Sequence, residues 1–86
     1  MFLHLGQDTV VSFDEIIGIF DMDNTTVSKN TRKFLNLAER RGEVVNVSYE
    51  LPKSFIICNR KKENKVYISQ ISSSTLQKRS ELKDIY

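Results

Sequence analysis

Asp21, Asp23 and Thr25 stand two residues apart, directly after the apolar run Ile16–Phe20, in the stretch IIGIFDMDNT. Two carboxylates leaving a strand end at this spacing could support phosphoryl transfer. The pair could share metal binding and proton transfer, with the threonine closing the turn. Chemistry of that kind sits at the carboxyl end of a parallel sheet. Only 61 residues follow Thr25, with one substantial helical pattern and no GDxxxD-like acidic pair among them. The spacing reads as coincidence, and no enzyme is expected.

The other reactive residues are sparse. His4, the only histidine, alternates with Leu3 and Leu5 and so faces away from them on a short strand. A structural or interface role is expected of it, because no second histidine is present to complete a metal site. Cys58 lies inside the apolar run FIICN and reads as a packed core thiol. The three glycines are isolated, so no phosphate-cradling loop exists, and neither a metal, a cofactor nor a small-molecule substrate is expected.

The basic residues are the better candidates. Arg32, Lys33, Arg40 and Arg41 fall in one group; Arg60, Lys61, Lys62 and Lys65 in a second; Lys78, Arg79 and Lys83 in a third, with Lys53 standing alone. The plain reading of any one group is a solvated polar face. The chain is lopsided, however. Residues 1–28 hold five acids and no Lys or Arg, whereas residues 29–86 hold thirteen bases and six acids. Such asymmetry suggests an electropositive face or a head-to-tail assembly through opposite charges.

These residues must be carried by short elements. Residues 1–21 pack eleven of Phe, Leu, Val, Ile and Met, broken near Gly6–Asp8 and Ser12–Glu15. This predicts three strands, Phe2–Leu5, Thr9–Ser12 and Glu15–Asp21. Val27, Thr31, Phe34, Leu35 and Ala38 then recur at helical spacing, with Thr25 or Thr26 able to cap the helix and Gly42 placed to end it. Val44–Tyr49 alternates as a strand, Pro52 breaks it, and Ser54–Asn59 and Lys65–Ile71 form a hairpin around the polar loop RKKEN. A Ser74-Thr-Leu-Gln77 capping box predicts a short C-terminal helix with an irregular stripe at Leu76, Leu82, Ile85 and Tyr86.

The expected fold is α+β, one domain over 1–86: a small, mostly antiparallel sheet of five or six short strands, one main helix and a short C-terminal helix. One helix cannot hide both faces of such a sheet, which leaves a face or an edge for another copy. At 86 residues the core is small and stability marginal, a problem that oligomerisation relieves. A single cysteine, no signal-like opening and no apolar run of membrane-spanning length fit a cytoplasmic protein without membrane contact.

Three blocks also carry a resemblance. MFLHLGQDTVVS followed by IIGIFD, then PKSFII at 52–57, then VYISQISSSTLQKR at 66–79, resemble the Rem family of bacterial extracellular-matrix (biofilm) regulators, in its RemB-like branch. Taken alone, IIGIFDMDNT is similar to the first motif of haloacid-dehalogenase-like phosphatases, but the Rem resemblance accounts for its IxGIFD half. RemA-type members resemble DNA-binding transcription activators that assemble into closed rings, with DNA following a basic outer ridge. The resemblance thus implies a regulator of matrix gene expression, a homo-oligomeric ring, and double-stranded DNA as partner. The arginines that serve RemA-type proteins match Asp14 or Glu15, and Leu51 and Pro52, in this chain, so none of them carries over. Any DNA contact is expected from Lys53, Arg60, Lys61, Lys62, Lys65 and Arg79. The alternative is an oligomeric protein-interaction module of the same fold that binds no DNA.

Overall fold

The computed structural model describes residues 1–22 and 29–82. The expected cap at Thr25 or Thr26, the helix start at Val27, the Asp23 and Thr25 positions and the tail residues Lys83, Ile85 and Tyr86 lie outside the described residues.

Strands β1 (Phe2–Gly6) and β2 (Thr9–Ser12) form an antiparallel hairpin. Its alternation is clean: Leu3, Leu5 and Val11 are buried, while Phe2, His4 and Val10 face out. The turn needs Gly6 at φ +122°, where a Cβ would also come within 3.0 Å of the Gln70 amide. His4 secures the turn by donating from Nε2 to the Gln7 carbonyl at 2.7 Å, the structural role expected of it. A 3-10 turn at Phe13–Glu15 then redirects the chain into β3 (Ile16–Asp21).

Helix α1 (Lys29–Arg40), β4 (Val44–Asn46), β5 (Ser54–Arg60), β6 (Glu63–Ser69) and α2 (Ser73–Leu82) follow. Four strands make one sheet in the order β3-β5-β6-β4, antiparallel except for the β4–β6 pair. The fold is α+β, but the single sheet of five or six strands is not what forms. The six strands among the described residues split into a two-stranded hairpin and a four-stranded sheet. The physical reason is the apolar inner face of the hairpin: laid across the sheet, Leu3, Leu5 and Val11 bury against Ile56 and Cys58. Added at an edge, that face would still need a cover.

The second face is therefore not left for another copy. The hairpin and α2 cover it, with Leu76 fully buried among Leu3, Leu5, Val11, Val47, Ile56 and Cys58. Two buried serines at the end of the sheet satisfy the backbone there. Ser69 Oγ donates to the Leu5 carbonyl at 2.6 Å and accepts from Ile71 N at 3.0 Å, and Ser54 Oγ donates to the Ile71 carbonyl at 2.7 Å. Every one of these bonds clips a neighbouring segment to the sheet.

The opposite face packs α1 over Phe55 and Val66 through Ala38, with Leu35 half-buried beside them. The helix ends as expected at Gly42 (φ +71°). Glu43 N donates to the Ala38 carbonyl and Gly42 N to the Glu39 carbonyl, which together satisfy the last turn. Phe34, placed on the buried stripe by its spacing, stays 40% exposed, as does Phe20 of β3 at 39%.

Two local expectations shift. β4 is only three residues, and 47–53 is a loop rather than more strand, held at its two ends where Val47 N and Lys53 N donate to the Ile68 and Ser69 carbonyls. Helix α2 starts two residues early: Ser72, not Ser74, is the cap, with its Oγ accepting from Thr75 N at 3.3 Å.

Candidate nucleic-acid interface

The expected five-residue loop RKKEN does not form. The β5–β6 ladder runs on through Cys58↔Lys65, Asn59↔Asn64 and Arg60↔Glu63, so only Lys61 and Lys62 remain to turn the chain. Asn59 Nδ2 donates to Asn64 Oδ1 at 2.7 Å, a cross-strand bond that stiffens the last rungs. Lys61 and Lys62 have φ of +50° and +69°. A two-residue turn with both φ positive matches the twist of a hairpin, and Asn-Gly is the favoured pair for it. A lysine there costs about 1 kcal/mol per position. Two lysines at the tip thus oppose the local backbone preference.

Replacing the pair by Asn-Gly tests that reading directly. Lys61→Asn with Lys62→Gly is expected to raise stability by about 1 kcal/mol, read as a later urea midpoint, while weakening any binding of DNA. A lower midpoint would show that the lysines suit the turn.

Arg60, Lys61 and Lys65 are brought together around a cavity of about 300 Å³, which Glu15, Glu63, Cys58 and Tyr67 also line. Arg60 Nε lies 3.6 Å from Glu15 Oε1, a pair of an exposed guanidinium and a half-buried carboxylate beside the tip. Glu15 is the partner that the sequence did not reveal, since 45 residues separate it from Arg60 and only the β3–β5 pairing joins them. Burial pushes the Tyr67 phenol above its ordinary range, with Cys58 and Glu15 adding to it.

Lys53 and Arg79 do not join this group. Lys53 precedes β5 at its far end, roughly 25 Å from the tip at the rise of a strand. Arg79 Nη1 donates to the His4 carbonyl at 3.0 Å, tying α2 to the first hairpin. Cys58 is a core thiol as expected, and burial followed by the nearby Glu15 raises it to about 11. The folded thiol holds its proton above its ordinary value of 9.0, so the stability this contributes is whole below pH 9 and drains between pH 9 and 11. The urea midpoint is expected to fall across that window in the parent and to fall less in Cys58→Ala.

Asp21, the described member of the carboxylate pair, ends β3 opposite Ser54 of antiparallel β5. That is not the parallel-sheet setting that an attacking aspartate requires. Among the described residues no helix is long and apolar enough to cross a membrane.

Fold and site together define a small α+β domain with a cationic hairpin tip. The chain belongs to the RemA-like family: the family model described as extracellular matrix regulatory protein A-like matches residues 2–79. It is also similar to Extracellular matrix regulatory protein B of Bacillus subtilis (strain 168), 37% identical over 81 residues, which cover 94% of this chain and 91% of that protein.

Proposed function

We propose that this chain is a bacterial regulator of extracellular-matrix gene expression, acting in the cytoplasm as a homo-oligomeric ring that holds double-stranded DNA by its phosphates. Its family membership and its similarity to a protein named as a matrix regulator support the regulatory part. The observation that carries the DNA part is the Lys61-Lys62 turn, where charge is kept at the expense of backbone preference. Arg60, Lys61, Lys62 and Lys65 of each subunit supply the main contacts, with Lys53 and Arg79 assisting from farther off. A single tip offers only a few phosphate contacts. Repeated around a ring, the tips bind together, and the linked sites multiply a weak affinity. The role requires no catalysis and no cofactor.

Size exclusion with light scattering, run with and without duplex DNA, tests this reading. It predicts one species of several subunits that takes up DNA at low salt and releases it at high salt. A second reading, an interaction module without DNA, is favoured by Asp14, Glu15, Leu51 and Pro52 at the positions of the missing arginines. An oligomer that ignores DNA at every salt concentration would establish it.

A further inference from the structure

The cavity behind the hairpin tip holds two acids among its bases, and one of these acids is held in place while the bases reach into solvent. Strand β5 outruns β3: Ile16 pairs with Cys58, and the ladder to β6 continues through Asn59 and Arg60. Glu15 stands beside this overhang as the last residue of the turn Phe13–Glu15. That turn is tied down. Phe13 N donates to the Met1 carbonyl at 3.1 Å, Asp14 N to Ser12 Oγ at 3.4 Å, and Ile16 N to the Phe13 carbonyl. The Glu15 side chain is 24% exposed, whereas that of Arg60 is 71% exposed and is the long, solvated member of the pair that can move.

Arg60 and Cys58 share a face of β5, and Glu63 and Lys65 are their cross-strand partners. Glu15 is set among them, since all of these residues line the same cavity. Its charge is felt there. Burial raises the Cys58 thiol and Glu15 raises it further, while the Tyr67 phenol is raised by burial, Cys58 and Glu15 and lowered by Arg60. The two opposite charges thus act on one space. A phosphate drawn in by Arg60, Lys61 and Lys65 meets the Glu15 carboxylate as well.

We propose that Glu15 is an affinity-setting residue of the tip: it holds the Arg60 guanidinium at 3.6 Å in the free protein and competes with a DNA phosphate for it. Binding then exchanges a carboxylate for a phosphate instead of adding a contact, and it leaves a half-buried Glu15 without its partner beside a second anion. Both effects weaken the complex. The bared carboxylate also draws a cation from solution, which offsets part of the counterion release that drives association. The tip is thereby set to bind less tightly than its bases alone would allow. This inference rests on the DNA reading proposed above and assigns the residue that limits it.

Anisotropy titrations with a labelled duplex test it. Glu15→Gln, which keeps the shape and removes the charge, is expected to raise affinity about fivefold at low salt. Its plot of log association constant against log salt concentration is expected to be steeper by up to about one, because no cation is taken up. Asp14→Asn is the control. Asp14 is adjacent in the chain but exposed and outside the cavity lining, and its loss is expected to change affinity less than about twofold. In an Arg60→Gln background, Glu15→Gln is expected to give a much smaller gain, since the group competed for is gone. Parent and Glu15→Gln proteins that both fail to bind overturn the DNA reading and this inference with it. A parent that binds while Glu15→Gln binds equally or more weakly overturns the competition alone. So does an equal gain from Asp14→Asn, or an undiminished gain in the Arg60→Gln background. Circular dichroism checks each fold, and Glu15→Ala replaces a Glu15→Gln that does not fold.

Discussion

Reversing the charge of Arg60, Lys61 and Lys62 to glutamate is expected to abolish DNA binding while leaving the oligomer intact. All three side chains are exposed at the hairpin tip, so no core packing changes. Each substitution turns an attraction to phosphate into a repulsion, and the carboxylate introduced in place of Arg60 would also face Glu15. Losing even three phosphate contacts per tip removes most of a counterion-release affinity, and in an assembly the loss repeats in every subunit. A fall of about 10³-fold or more is expected in an anisotropy titration with labelled duplex. Lys78→Glu, exposed on α2, serves as the control and is expected to change affinity far less. Equal losses in both variants would mean that the tip is not the contact surface.

The largest effect on stability is expected from Leu76→Ala. Leu76 is completely buried and is the residue through which α2 enters the core formed by the first hairpin and the sheet. Truncation leaves a cavity that Leu3, Leu5 and Ile56 cannot fill without breaking the serine clips. The cost is about 3 kcal/mol, a large share of the stability of a domain this small. That corresponds to a thermal midpoint lower by roughly 12 °C or more. Leu51→Ala, on the exposed loop, is expected to stay within about 0.5 kcal/mol of the parent. A similar fall in both would contradict the burial pattern.

What the sequence made legible follows from local rules. The alternation Leu3-His4-Leu5 placed His4 outward, and Gly42 ended α1 where its positive φ was needed. The three N-terminal runs became strands within a residue or two of their expected bounds. What stayed hidden depends on contacts between distant residues. Nothing within residues 1–21 says that β1 and β2 lie across the sheet instead of joining its edge, since the inner face is apolar in either arrangement. The polar run RKKEN looks like a loop, but the register of Cys58 against Lys65 draws Glu63 and Asn64 into β6 and leaves Lys61 and Lys62 to bear the turn.

The candidate site was legible in part for the same reason. The cluster Arg60, Lys61, Lys62 and Lys65 is nearly contiguous and could be read directly, whereas Lys53 and Arg79 were grouped with it by charge alone. Arg79 is engaged with His4 across the α2–β1 contact, a separation of 75 residues that no local pattern reveals. Tyr49 was masked by the alternation VVNVSY, which suits a strand, yet the ladder of β4 ends at Asn46.

The central claim, that a multi-subunit assembly holds DNA by its phosphates, is tested most directly by the salt dependence of binding for the unaltered protein. The logarithm of the association constant for a duplex should be measured against the logarithm of salt concentration. Six phosphate contacts predict a slope of about −5, or a loss of roughly 10³-fold between 50 and 200 mM, with little change when the duplex sequence is scrambled. A flat slope, or no binding at the lowest salt, would contradict the claim.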